Sequence, residues 1–297
     1  MNNFIAYFYN MNIKDVIRHD KYYSFIYNNY LYHLYMIDSN INVNYMINMN
    51  KRLIHHTLVS EIIINKDGSY ISNFNNQGFI LLKIFVSTDK KISLEEISYL
   101  ANSLYVDNLN INWGILWSKK IDYLEDLISE NGKKYPIIVD SFNYFVGLAE
   151  NAISYYNDIV IPKNYKYVVS HKKIRIDDTA LVLYNPLNII FDYQVRDIAE
   201  YIKNAFFLNN NNILHELDNY LSINQLSLTD IKLLIARILY PSFYFEMYED
   251  ILIDGKNEKI ITAILDKLPS YEKYLANIIS YFRRYYDIAE VPWLENN

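Results

Sequence analysis

The chain has no cysteine. This excludes disulfides, thiolate metal sites and a cysteine nucleophile together, and it fits a reducing compartment. Glycine is scarce as well: six residues, at positions 68, 78, 114, 132, 147 and 255, with no two closer than ten residues. A Walker loop, a dinucleotide fingerprint and a nucleophile elbow each need clustered glycines for tight turns and close backbone approach, so all three are absent. No segment approaches the roughly 18 uninterrupted apolar residues of a membrane span. The opening MNNFIAYFYNMNIKD lacks a basic stretch and a small-residue cleavage site, so no secretory signal is expected. Positive charge is in deficit too. The net charge is −6, and basic clusters such as Lys172–Lys173 and Arg283–Arg284 are short. No nucleic-acid partner and no transmembrane segment are expected.

What is present is ample core-forming material. Of 297 residues, 52% are hydrophobic and 21% charged, which suffices for one large domain or two lobes and argues against long disorder. The 31 tyrosines, with abundant Asn, Ile and Lys, share A/T-rich codons and read as a genome's signature.

The first 85 residues read mostly as antiparallel strand. Phe4–Tyr9 is a candidate first strand. Tyr22–Tyr27 and Tyr30–Ile37 are joined by Asn28-Asn29, a short hairpin turn. Val43–Leu53 suits a short helix. Leu58–Asn65, Ser69–Phe74 and Phe79–Phe85 are further strand candidates, the first closed by the turn Lys66-Asp67-Gly68-Ser69. Such a sheet needs another layer to cover its apolar face. From about residue 93 the pattern turns helical. Ser93-Leu94-Glu95-Glu96 has the form of a capping box, with Glu96 reaching back to Ser93. Trp113–Glu130 carries Trp117, Ile121, Leu124 and Ile128 on one face, and Asn131-Gly132 should cap it. Phe142–Tyr156 should be a central buried helix. A short β patch follows at Tyr165–Val169, Leu181–Tyr184 and Ile189–Asp192. Helices are then expected at 196–207, 212–221, 227–239, 242–251, 257–267 and 270–286, and a hinge near 86–92.

A β-rich first lobe, a helical second lobe and a small β patch embedded in the latter is the plan of protein-kinase-like phosphotransferases. The pieces NWGILWSKKIDYLE, SFNYFVGLAENAISYY, FDYQVRDIAEYIK, LLIARILYPSFYFEMYED and VPWL make the chain resemble the bacterial spore-coat kinase-like proteins of the CotS/YutH type, within the aminoglycoside phosphotransferase and choline kinase superfamily. The resemblance covers about residues 20–294 and rests on the order and spacing of these pieces. It implies an α+β, bilobal protein-kinase-like fold. The small β-rich N-lobe is expected at residues 1–88 and the larger helical C-lobe, with its embedded β patch, at 89–297. The ATP site of that plan lies in the cleft between the lobes.

Active relatives implied by the resemblance carry H-x-D-x-x-x-x-N on a catalytic loop and a metal-binding acid downstream. The Asp accepts the substrate proton, while the Asn and the later acid hold Mg²⁺. Here His171 matches the His, Lys173 falls at the Asp and Asp178 at the Asn. Counting back from VRDIAEY places Asn185 at the metal-binding acid. The third strand, YLYHLYMI, has no lysine for the phosphates. Arg196 and Asp197 match the family's structural pair, Asp197 bracing the catalytic loop.

A lysine at the base position cannot accept a proton near neutrality without a large pKa depression, and Asn for Asp removes a charge from a hard-cation site. The expectation is therefore a pseudokinase: no confident catalytic residue, no metal, no cofactor, and an unknown protein partner. It would be cytoplasmic, or in a spore-coat or envelope-associated assembly if the organism sporulates.

The alternative is an active ATP- and Mg-dependent small-molecule phosphotransferase with an alcohol acceptor, its carboxylates relocated. Asp177-Asp178 with Asp192 could form a nonstandard metal site, or simply a solvated turn. A third reading is an unrelated, mostly helical interaction protein with a β-rich head. His171 could be a general base, or a histidine that only satisfies backbone groups. His55-His56 with Glu61 is a poor metal site, because adjacent residues in an extended segment face opposite ways.

Overall fold

The computed structural model describes residues 1–37, 42–175 and 178–295. The chain forms two compact units. Unit 1 comprises residues 1–104 with 171–173 and 177–190, and unit 2 comprises 105–170, 174–176 and 191–297.

Unit 1 opens with helix α1 (Asn2–Tyr9), where the sequence suggested a strand. Phe4, Ile5, Phe8 and Tyr9 recur at helical spacing and pack on Phe25, Tyr32, Leu34, Phe79 and Leu81. Full burial of a side chain such as Ile5 is worth about 2 kcal/mol, which a short, half-exposed strand could not match. The strands are β1 (Ile17–Arg18), β2 (Tyr22–Tyr27) and β3 (Tyr30–Ile37). After helix α2 (Val43–Leu53) come β4 (Glu61–Ile63), β5 (Ser72–Phe74) and β6 (Gln77–Ile84), then helix α3 (Leu94–Ala101). The antiparallel sheet runs β1-β2-β3-β6-β4, with β5 also on β6.

Its two tight hairpin turns are made by asparagine pairs in place of glycine. Asn28 and Asn29 have φ of 49° and 64°, and Asn75 and Asn76 have 49° and 61°, the left-handed pair that a two-residue hairpin turn requires. The strands expected at Leu58–Asn65 and Ser69–Phe74 shorten to β4 and β5. Asn65 diverts the chain between them: its Oδ1 accepts from the amides of Asp67 and Ser69, and its Nδ2 donates to Ile71 O and Ser72 Oγ. One face of the sheet is covered by α1. The other carries Ile37, Ile62, Ile80, Leu82 and Ile84, packed by Met46 of α2 and by Leu181 and Leu187. Asn50 ties α2 down by donating to Ser60 O (2.7 Å) and accepting from Ile62 N (3.1 Å).

The Ser93 hydroxyl does cap α3, accepting from Glu96 N at 3.3 Å. The Glu96 carboxylate does not complete a capping box. It takes Lys90 Nζ (2.8 Å) and the Tyr184 hydroxyl (3.1 Å), because a charged and a buried donor compete better for it than an exposed amide.

Unit 2 contains β7 (Tyr105–Val106), α4 (Trp113–Asn131), α5 (Pro136–Asn157) and β8 (Tyr167–His171) up to Ser170, the last residue of that strand, His171, belonging to unit 1. Next in the chain are α6 (Ala180–Leu183), which belongs to unit 1, and β9 (Ile189–Asp192). The helical remainder of unit 2 is α7 (Arg196–Phe207), α8 (Ile213–Ile223), α9 (Leu228–Leu239), α10 (Ser242–Asp254), α11 (Lys259–Leu265), α12 (Leu268–Arg283) and α13 (Pro292–Glu295). The strands β7, β8 and β9 form a second sheet in that order.

Three local expectations need correction. Leu181–Tyr184 is not a strand: Ala180–Leu183 makes one helical turn. Gly132 has a φ of −57° and opens a 3₁₀ turn instead of a left-handed cap, since α5 begins a few residues later with Pro136 at its first position. The first strand of the β patch sits two residues later than Tyr165–Val169. Tyr165 instead spends its hydroxyl on Asp230, which also closes a true capping box with Ser227.

Candidate functional site

The chemistry suggested by the sequence falls on residues 171–197. His171 ends β8, a strand buried along its whole length. Its side chain is 1% exposed, and Nε2 lies 2.8 Å from Leu183 O. A carbonyl can only accept, so Nε2 carries the proton there and is not available as a base. Lys172 and Lys173 follow on the surface. Lys172 donates its amide to Asn188 O (2.8 Å) and its Nζ to Leu187 O (2.9 Å). Lys173 gives its amide to Asn188 Oδ1 (3.2 Å), and Asn188 Nδ2 returns a bond to Lys173 O (2.8 Å). The loop is thus held by backbone and amide bonds. Asp178 is half-buried, and Asp177 lies outside the described residues.

Asn185 is half-buried at the start of an Asn-Pro-Leu-Asn turn. Its Oδ1 accepts from Leu187 N at 3.0 Å and its carbonyl from Asn188 N at 2.9 Å. This is an Asx turn, in which the side chain substitutes for a backbone acceptor.

Asp192 ends β9 in unit 2 and is buried. Its carboxylate accepts from Trp113 Nε1 (3.0 Å) and Tyr193 N (2.7 Å) and pairs with Arg196. Its oxygens are thus committed, which weakens its candidacy as a metal ligand with Asp178. Arg196 opens α7. Burial lowers its pKa first, and the charge of Arg237 lowers it further. Asp197 is buried in the first turn of the same helix, where a negative charge faces the helix dipole favourably. Among the described residues no three of His, Cys, Asp and Glu gather as metal ligands would, His55, His56 and Glu61 included.

On the third strand, where a phosphate-binding lysine was sought, His33 faces Ser24 in register. Its ring is 4% exposed and packs on Tyr22 and Tyr35, with centroids 4.5 and 6.0 Å away. Burial, aided by His19, drives its pKa down to about 4, so it is neutral near pH 7.

The sequence reading missed a buried charge network in unit 2. Glu200 and Lys203 of α7 meet Arg237 of α9 and Ser242 of α10. Lys203 Nζ contacts Glu200 (3.0 Å), Arg237 O (3.2 Å), Tyr240 O (3.1 Å) and Ser242 Oγ (2.6 Å), while Arg237 Nε donates to Glu200 Oε1 (2.8 Å). Burial alone would raise the Glu200 carboxyl. Lys203 and Arg237 outweigh it and bring the pKa down to about 2. Burial pushes Lys203 down to about 8, against the pull of Glu200. Arg237 also lies over the rings of Trp113 and Trp117, 5.1 and 5.9 Å from their centroids. The i, i+3 spacing of Glu200 and Lys203 was legible. That their helix face is buried was not.

A β1-β2-β3-β6-β4 sheet with one helix between its third and fourth strands, followed by a helical unit with an inserted strand–loop–strand, defines a kinase-like phosphotransferase fold. Solved structures bear this out. An aminoglycoside phosphotransferase from Alicyclobacillus acidocaldarius superposes with a TM-score of 0.65 at 8% identity, covering 93% of each chain. Amicoumacin kinase hAmiN, in complex with AMP-PNP, Ca²⁺ and Ami, gives 0.58 at 12% identity over 92% of this chain and 91% of that one. The AMP-bound spectinomycin phosphotransferase APH(9)-Ia gives 0.56 at 10% identity, covering 93% of each. At such identities the likeness shows the fold alone.

The family is narrower. The profile described as "Spore coat putative kinase YutH" matches residues 2–282, and the chain belongs to that family. The endospore coat-associated protein YutH of Bacillus subtilis (strain 168) is 27% identical over 184 residues. That match spans 55% of this chain and about half, 54%, of the relative's own length. Among the described residues no helix is long and apolar enough to cross a membrane.

Proposed function

We propose that this chain is a catalytically inactive kinase-fold protein, a pseudokinase, that acts by binding a protein partner in a spore-coat or envelope-associated assembly. The observation that carries the reading is Asn185. At the position where the family resemblance puts a metal-binding carboxylate stands a neutral amide whose oxygen already accepts from Leu187 N. Mg²⁺ is usually held through one or two carboxylates, and a neutral amide whose oxygen already accepts supplies neither the charge nor a ready lone pair, so Asn185 is a poor fit to Mg²⁺. Lys173, at the position of the catalytic base, adds positive charge where a proton acceptor is required. The relative's description as endospore coat-associated supports the assembly.

The test is thermal unfolding with ATP, with and without Mg²⁺ or Mn²⁺, together with an ATP-turnover assay, on the wild type and on Asn185→Asp. A ligand at a hundred times its Kd adds about 2.7 kcal/mol of stability. The expected result is no metal-dependent shift and no turnover in the wild type. A metal-dependent shift with turnover would favour an active phosphotransferase with relocated carboxylates.

A further inference from the structure

Residues 179–188 lie across unit 1 as a strap. The Ala180 amide donates to Lys90 O at 2.7 Å, and Thr179 forms an antiparallel bridge with Lys91, so the strap pairs with the connection that follows β6. Farther along, Tyr184 O accepts from Ser60 N at 2.8 Å and the Tyr184 hydroxyl donates to Glu96 Oε1 at 3.1 Å. Leu181 and Leu187 pack on the sheet face formed by Ile37, Ile80, Leu82 and Ile84. The far end is fastened by the bond from His171 to Leu183 O and by the Asn188–Lys173 exchange.

The surface beneath the strap has a particular chemistry. It combines an apolar sheet face with a backbone carbonyl, Lys90 O, and the buried carboxylate of Glu96, whose Oε2 has no hydrogen-bond partner. With the strap displaced, Lys90 O would lose its Ala180 donor, and apolar walls beside that carbonyl and Glu96 Oε2 would suit a flat heteroaromatic ring that carries an amino group. The strap supplies the same two elements from the chain itself: leucine side chains for the ring and the Ala180 N–H for the amino donor. Fold relatives are described in complex with AMP, ADP and AMP-PNP, which makes a purine the ring to consider.

We propose that residues 179–188 are a built-in occupant of this face, so that a purine nucleotide can bind unit 1 only by displacing the strap. The inference rests on the reading of this chain as a kinase-fold binding protein and adds a device that keeps nucleotide out, independently of the lost metal ligand. Apparent affinity for ADP then equals intrinsic affinity reduced by the fraction of molecules with the strap open.

Two variants of the full chain test this. Ala180→Pro removes the amide donor at the first position of a helical turn, where proline is tolerated. Leu181→Ser with Leu187→Ser weakens the packing and leaves the backbone bonds. ADP affinity is measured by calorimetry without metal, and strap opening by amide hydrogen exchange over residues 179–188, with thermal unfolding as the check on folding. Both variants should exchange faster there and bind ADP at least about tenfold more tightly than the wild type. Faster exchange with no gain in affinity would overturn the proposal, as would wild-type binding as tight as that of the variants. If neither variant speeds exchange, the strap is not a separable element and the proposal also falls. ATP turnover by the wild type would count against the inactive reading alone, whereas the ADP affinities decide the strap.

Discussion

His171 gives its Nε2 proton to the carbonyl of Leu183, 2.8 Å away and twelve residues on in the chain. The contact fastens the end of β8 to the helical turn α6 and makes the histidine a structural pin. His171→Ala should cost about 2 kcal/mol, the penalty of leaving a buried carbonyl without this donor. Urea unfolding would measure it, and stability within a few tenths of the wild type would show that the bond contributes nothing.

The network around Glu200 makes a larger prediction. Glu200→Ala leaves Lys203 and Arg237 buried without their shared carboxylate, and removing one partner of a buried pair costs about 3–5 kcal/mol. The same pair sets an acid limit. The Glu200 pKa is depressed from 4.5 to about 2, so its stabilisation is full above 4.5 and is lost as pH falls through 2. Denaturant midpoints of the wild type and Glu200→Gln, followed from pH 6 to about 2, should converge at the acid end.

His33 governs a separate window. Its pKa falls from 6.5 in the unfolded chain to about 4 in the fold, so the unfolded state binds the extra proton between those values. Stability should therefore drop as pH falls from 6.5 to 4, by at most about 3 kcal/mol. His33→Phe removes the titrating group. Its stability profile should be flatter than that of the wild type across this window, and an equally steep profile would refute the assignment.

Asn29, at φ 64°, closes the β2–β3 hairpin. Asn29→Ala should cost about 1 kcal/mol, because alanine lacks the amide that tolerates the left-handed region. Asn29→Gly should be close to neutral. Thermal unfolding of the two variants distinguishes a conformational effect from loss of a side-chain contact.

Local signals carried much of the fold. The helices at 43–53, 196–207 and 228–239 and the hairpin Tyr22–Ile37 were legible because each has its own period, caps or turn residues. For the candidate site, the family resemblance points to His171, Lys173, Asp178 and Asn185 as positions to inspect. What those side chains do was not. His171 and Asn185 are committed to Leu183 O and Leu187 N, and nothing in a residue's type announces such partners.

By itself, then, the sequence determined the exclusions and the elements: no cysteine chemistry, no glycine-rich phosphate loop, and a strand-rich start followed by helices. Those follow from composition and from periods that span a few residues. Tertiary structure decided that Phe4–Tyr9 is a helix, because a helical stripe buries Phe4 and Ile5 against β2, β3 and β6. It also decided that Glu96 serves Tyr184, 88 residues away, and that Glu200, Lys203 and Arg237 are buried together. Burial and long-range pairing set those outcomes, and both depend on which distant segments arrive at the same place.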